Sequence, residues 1–193
     1  FNQSTAQKWT LLETEKTLYS IMGKTNVSVS QMVKFYKNKA TVSYPYSNVS
    51  EAPTIEKFCQ IYKEESEVEG VKAEVAFAQA MMETGFLKFG GDVKKDQYNF
   101  AGIGAIGGGS SGAKFDSIRI GIRAHVQHLK AYASKEALKQ PVVDPRFQYV
   151  KRGSAEYVQW LGQKEIPNGY GWATAKNYGN NIVKLYILPM KKY

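Results

Sequence analysis

Cysteine is almost missing from this chain. Cys59 is the single one, which excludes an internal disulfide and any thiolate metal cluster. It lies in Thr54-Ile55-Glu56-Lys57-Phe58-Cys59-Gln60-Ile61, whose apolar spacing suits a buried helix, so a packed and inert thiol is expected. Histidine is nearly as scarce: His125 and His128 are the only two. With no His-Glu-x-x-His pattern they read as hydrogen-bonded helix side chains, and neither a metal nor a cofactor is expected. No apolar run approaches the about 18 residues of a membrane-spanning helix, so a soluble globular chain without a membrane span is expected. Glycines crowd residues 88–114, yet GxxxxGK[ST] is missing and no strand-then-helix fingerprint surrounds them. That excludes a phosphate-binding loop and a dinucleotide site. Lysines come in ones and twos, with no Arg-rich block and no aromatic RNA-binding signature, so nucleic acid is not the expected partner.

What is present starts with charge. Lys and Arg number 26 against 17 Asp and Glu, a net charge of +9, which points to an anionic partner surface. The 13 tyrosines and 3 tryptophans supply core and, where exposed, faces that stack on sugars or bases. A length of 193 residues fits one domain with an extended arm: residues 1–50 as an arm packed on or flanking the domain, residues 51–193 as the domain itself. The chain opens on Phe1 without a signal peptide and reads as a mature or excised fragment.

Along the chain, Ser30 is expected to cap a short helix through Val33 and Tyr36. Pro53 is expected to start a helix reaching Glu69, with Gly70 separating it from the next. In residues 88–114, residues 100–106 and 113–115 are expected to pair as a short hairpin across residues 107–112, the rim of a groove. Asp116 or Ser117 caps a helix with Ile118, Ile122, Val126 and Leu129 on one face and Arg119, Arg123 and Lys130 off it. A helix is expected over residues 154–162, and a closing one in which Ile182, Leu185 and Tyr186 face inward.

The stretch that organises the rest is residues 71–104. Val71, Val75, Ala78 and Met82 recur at helical spacing, widened by Phe77 and Met81, and Glu83 stands at the very end before Gly85. Taken alone, Glu83 is a solvated glutamate at a helix end. Unpaired carbonyls, the negative end of the helix dipole and apolar surroundings all disfavour its ionisation. A carboxyl that stays protonated near neutrality is what protonating a glycosidic oxygen requires.

Glu83-Thr84-Gly85 closing an apolar helix, followed by Tyr98-Asn99-Phe100-Ala101-Gly102-Ile103 and then by Trp172-Ala173-Thr174 before Tyr178, resembles the glucosaminidase family of bacterial peptidoglycan hydrolases, glycoside hydrolase family 73. The motifs occur in the family's order, and the resemblance runs over residues 53–188. It implies a lysozyme-like fold, mainly α with a small β-hairpin lobe (α+β). It implies an endo-acting autolysin, secreted or in the cell wall, that cleaves the β-1,4 bond between N-acetylglucosamine and N-acetylmuramic acid. Glu83 is the implied general acid and Tyr178 a catalytic neighbour. Gln79, Tyr98, Asn99, Phe100, Gly102 and Trp172 are the implied substrate-binding residues, with Phe100 and Trp172 packing on sugar faces. Peptidoglycan strands, and anionic wall polymers beside them, are the implied partners of a monomer.

The second catalytic group stays open. Several family members place a glutamate in the hairpin, but no acidic residue lies between Asn99 and Lys114 here. Asp92 and Asp96 precede the hairpin; Asp116 follows it and is the most suggestive carboxylate, although capping the next helix also suits it. The other route uses the substrate's own acetamide as nucleophile, positioned by Tyr178 and Asn99. A lytic transglycosylase or muramidase cutting the same polymer, and a non-catalytic wall-binding module, are the competing readings.

Overall fold

The structure, a computed structural model, describes residues 17–105 and 109–193. Residues 1–16 of the expected arm, and Ile106, Gly107 and Gly108 of the expected hairpin, lie outside the described residues.

Helices form where apolar spacing and capping chemistry coincide. α1 (Val29–Lys39) starts from Ser28, not Ser30. The Ser28 side chain accepts from Gln31 N at 3.1 Å while Gln31 accepts from Ser28 N at 2.8 Å. Such a reciprocal cap needs a Glu or Gln three residues on, and only Ser28 has one. α2 (Ile55–Glu69) is capped by Thr54, which accepts from Lys57 N at 3.2 Å, and ends on Gly70 in the left-handed region. α3 (Ala73–Thr84) is buried on every side over residues 73–81, as expected of a helix with no polar face. Its internal carboxylate, Glu74, is 0% exposed. It accepts from Tyr19 Oη at 2.9 Å and from Asn26, which pins the start of the described chain to this helix.

α4 (Ile118–Ala133) is capped by Ser117, which accepts from Ile120 N at 3.1 Å. The Glu51 carboxylate joins it, accepting from Ile118 N and Arg119 N at 2.9 and 2.8 Å, a negative charge on the positive end of the helix. Asp116 is exposed and takes no part in this cap. The basic residues placed off the apolar face of α4 are not left free in solvent. Arg119 and Arg123 pair with Glu65, and Lys130 with Glu69, along the seam with α2.

Two expected helices differ. Residues 154–162 form only a 3₁₀ turn at Val158–Leu161, because Ala155 N and Val158 N are spent on Tyr132 O and Tyr19 O at 2.8 Å each and cannot start a helical ladder. The closing helix is α5 (Tyr178–Ile182), a π turn (Val183–Ile187) and α6 (Leu188–Met190). The wide π turn rotates the side chains, so Val183 and Ile187 join Ile182 in the core while Leu185 is 53% exposed.

The described part of the expected hairpin carries no strand; the described residues contain only isolated bridges, Ser20 with Tyr157, Met22 with Val71 and Gly162 with Ala173. Ala113 N does bond Ile103 O at 2.9 Å. No ladder extends from that bond, because the Asn99 side chain takes its neighbours. It accepts from Ile103 N at 2.9 Å and donates to Ile103 O and Ala113 O at 2.9 and 3.1 Å. The result is a mainly helical domain with an irregular rim. Its larger core cluster runs from Ile21 and Phe35 through Phe58, Tyr62 and Phe77 to Ile187 and Met190, so residues 17–50 share it with the rest, and a small second cluster of Ala101, Ile103, Phe115 and Ala124 lies under the rim.

Candidate active site

Glu83 sits in the last turn of α3, where Gly85 (φ 57°) stops the helix in the left-handed region. Phe86 N donates to Met81 O at 2.8 Å. Thr84 Oγ1 donates to Ala80 O at 2.7 Å and accepts from Leu87 N at 3.0 Å. Phe86 and Leu87 are left-handed too, at φ 55° and 63°, a conformation that costs side-chain-bearing residues about 1–2 kcal/mol each. Tertiary packing holds it: Phe86 stacks on Tyr186 at 5.5 Å and Leu87 is buried. The backbone therefore leaves abruptly after Glu83, and the carboxyl is left at an open edge.

That edge is the meeting point of two arms of a cleft. One, of about 390 Å³, runs past Gly102, Ile103 and Gly104 on one side and His128, Tyr132, Arg146, Tyr149 and Trp172 on the other. The second, of about 150 Å³, runs past Phe89, Asp92, Val93 and Asn99. Glu83 and Gly102 line both. A groove passing the acid on two sides suits a polymer cut within its length.

Solvent reaches Glu83 from the cleft, but protein atoms around its other sides strip enough water to raise its pKa above the usual carboxylate range. The Tyr178 hydroxyl works the other way, donating to Glu83 Oε1 at 2.5 Å. Tyr178 is held in turn. Gln79 Nε2 donates to its hydroxyl at 3.0 Å, His125 Nε2 meets Gln79 Oε1 at 2.7 Å, and Tyr62 Oη meets His125 Nδ1 at 2.9 Å. Burial drives the His125 pKa down to about 3 and holds the phenols of Tyr178 and Tyr62 well above their ordinary value, so all three rings stay neutral.

The structure brings Glu83, Tyr178, Gln79, Asn99, Gly102 and Trp172 to one place, but not all of them to the groove surface. Gln79 is 0% exposed and touches Tyr178 in place of substrate. Phe100 is 1% exposed, with its ring edge-on to Phe58 at 5.1 Å, so it presents no face to a sugar. Asn99 spends its amide on the rim, as above, and has none left over for an acetamide. Tyr98 packs on Tyr46 at 5.7 Å and does not line the cleft. Trp172 does line it, edge-on to His128 at 4.5 Å, and its backbone N–H donates to Leu161 O at 2.7 Å. Of the candidate second carboxylates Asp92 lines the smaller arm, whereas Asp96 and Asp116 line neither.

Several cleft residues escape a reading of the sequence. His128 Nδ1 donates to Asp144 Oδ2 at 2.6 Å, and Asp144 Oδ1 accepts from Arg146 N at 2.9 Å, so one buried carboxylate sets both. The Arg146 guanidinium lies 4.3 Å over the Tyr149 ring and has no acidic partner among the described residues. His128 and Tyr132 stand four apart on α4, a spacing that puts both on one helix face. His125 and His128 serve different partners, and no group of three metal-ligating side chains gathers among the described residues.

A family model described as Glucosaminidase, mannosyl-glycoprotein endo-beta-N-acetylglucosaminidase, matches residues 59–187. An uncharacterized protein of Borreliella burgdorferi is 46% identical over 132 residues, which cover 68% of this chain and 61% of that protein. The chain thus spans less than two thirds of that relative's length. No solved structure matches it.

Proposed function

The chain belongs to the glucosaminidase family, a family of glycoside hydrolases, and on that premise we propose that it hydrolyses peptidoglycan within its strands, at the β-1,4 bond between N-acetylglucosamine and N-acetylmuramic acid. The observation that carries this reading is Glu83: a carboxyl of raised pKa at the junction of two cleft arms, with Tyr178 bonded to one oxygen. Such an acid protonates the leaving oxygen as the C1–O bond breaks, and its carboxylate then receives a proton from water in the second half of the reaction. Trp172 supplies a sugar-stacking face. Arg146, a cation in the cleft without a carboxylate partner among the described residues, suits the acidic groups that the muramic acid sugar and its stem peptide carry and that chitin lacks. A secreted or wall location follows from that substrate.

For the second group we favour the substrate's acetamide, with Tyr178 beside it, because the acids named from the sequence are mostly out of reach of the cleft. Asp92 is the one that lines an arm with Glu83 and is the protein alternative.

Mass spectrometry of fragments from purified peptidoglycan tests the reading. Reducing N-acetylglucosamine ends are expected, at a higher rate than from chito-oligosaccharides; reducing or anhydro N-acetylmuramic acid ends would instead mean a muramidase or transglycosylase. Glu83→Gln should lose about 10²–10⁴-fold of turnover while still binding insoluble wall, and a loss under about tenfold sinks the assignment. A folded Asp92→Asn protein as inactive as Glu83→Gln would give the second role to that carboxylate.

A further inference from the structure

The chain of side chains behind Glu83 has a direction, and that direction decides where the acid's proton sits. It runs Tyr62, His125, Gln79, Tyr178, Glu83 through the interior: Tyr62, His125 and Gln79 are each 0% exposed. A neutral imidazole donates from one nitrogen and accepts at the other, a carboxamide donates only from nitrogen, and a phenol has a single proton. Two self-consistent arrangements therefore exist. In the forward one, Tyr62 Oη donates to His125 Nδ1, His125 Nε2 donates to Gln79 Oε1, Gln79 Nε2 donates to Tyr178 Oη, and Tyr178 Oη donates to Glu83 Oε1.

In the reverse one every bond turns round. Glu83 donates to Tyr178, Tyr178 to a flipped Gln79, Gln79 to His125 Nε2, and His125 Nδ1 to Tyr62. The Tyr62 proton is then left without an acceptor, since among the described residues His125 is the only hydrogen-bond partner of that hydroxyl. A buried donor without a partner is the feature folded proteins avoid most consistently. The forward direction is selected at Tyr62, three side chains away from Tyr178.

We propose that Tyr62, His125 and Gln79 are positioning residues that compel Tyr178 to donate to Glu83 Oε1, so that the transferable proton of the protonated acid resides on Oε2. Oε2 is the oxygen turned to the groove: it lies 3.7 Å from where a Cβ on Gly102 would stand, and Gly102 lines both arms. In catalysis the Oε2–H bond breaks and an O–H bond forms on the leaving oxygen, which takes the electron pair of the broken C1–O bond. With the chain reversed the proton would lie on Oε1, pointing into the protein. This inference rests on the reading of Glu83 as general acid. Around Glu83 the other titratable or charged groups are Tyr178, Tyr186, His128, Tyr132, Arg146 and Asp92; around His125 they are Tyr62 and His128.

The test begins with ¹⁵N-histidine NMR, which two histidines make simple to assign. His125 is expected as the Nε2–H tautomer in the wild type at every pH, whereas in Tyr62→Phe an Nδ1–H fraction is expected only where Glu83 is protonated, since an ionised Glu83 accepts but cannot donate. An Nδ1–H wild type overturns the proposal whatever the enzyme does. On purified peptidoglycan, Tyr62→Phe should lose about tenfold in kcat, part of the about 10²–10⁴-fold a placed acid supplies, with KM little changed. The basic limb of its kcat–pH profile should move up, because the protonated acid gains a second arrangement while the carboxylate, which can only accept, keeps the first. A fall in kcat with neither limb nor tautomer moved means packing damage only and overturns the proposal.

Gln79→Met gives the second arm. It cuts the chain and leaves Glu83 as the sole acceptor for Tyr178, so its basic limb should stay where the wild type has it; a limb shifted as in Tyr62→Phe overturns the proposal, even if Tyr62→Phe does not fold. A wild type that leaves peptidoglycan intact would defeat the peptidoglycan reading and leave the tautomer measurement standing.

Discussion

On the proposed function, Glu83 couples catalysis to stability through one carboxyl. Burial raises its pKa in the folded chain, so the fold prefers the neutral acid. The stabilisation of that neutral form is fully present below the unfolded carboxylate value of about 4.3 and is lost as pH rises through the higher folded value. Near neutrality an ionised Glu83 is therefore a burden. Glu83→Gln removes it, and calorimetry should find the variant melting above wild type at pH 7, with the gap closing as pH falls toward 4. A gap of the same size at both ends would show that the carboxyl is not perturbed by burial. Stability gained where turnover is lost is the usual trade at a catalytic acid.

At the scale of helices, α2 and α4 join by charge as much as by apolar contact. Lys130 Nζ lies 3.0 Å from Glu69 Oε1, both side chains fully buried, and the same carboxylate accepts from Lys139 N at 2.8 Å and Gln140 N at 3.2 Å. Removing one partner of such a pair leaves a charge in the interior, which costs about 3–5 kcal/mol. Urea unfolding of Lys130→Ala should show a loss of that order, and pairing Lys130→Met with Glu69→Gln should recover most of it. A loss no larger than that of an exposed pair, about 0–1 kcal/mol, would mean the seam is held by its apolar residues alone. α3 needs no such device. Its apolar surface lets α2, α4 and the closing helix press on it, and that compression places Gln79 and Glu83 in line with Tyr178.

For the molecule as a whole, the charge of +9 is an affinity for anionic polymers screened beyond roughly 8 Å at physiological ionic strength. Lysis of intact wall should slow as salt rises, and purified strands without teichoic acid should show a weaker dependence. Equal rates at low and high salt would make the surface charge incidental and leave Arg146 as the cleft's contribution to anion recognition. No helix among the described residues is long and apolar enough to cross a membrane.

The sequence by itself determined the helix that ends in Glu83 and the reason it ends there, since apolar spacing and a glycine stop are local properties. It also determined the buried thiol of Cys59 and the family. Capping was legible only in part: Ser117 was one of two candidates, with Asp116, before an apolar face, whereas Ser28 needed its partner Gln31 to be weighed. What the tertiary structure decided is which polar side chains meet. Gln79 and Tyr178 stand 99 residues apart and Tyr62 and His125 63 apart. No local pattern relates such positions, and Phe100, in the groove motif, is turned inward against Phe58 and Tyr62 of α2. The direction of a hydrogen-bond chain, and so the place of a proton, exists only once packing has removed the water that would otherwise satisfy each member separately.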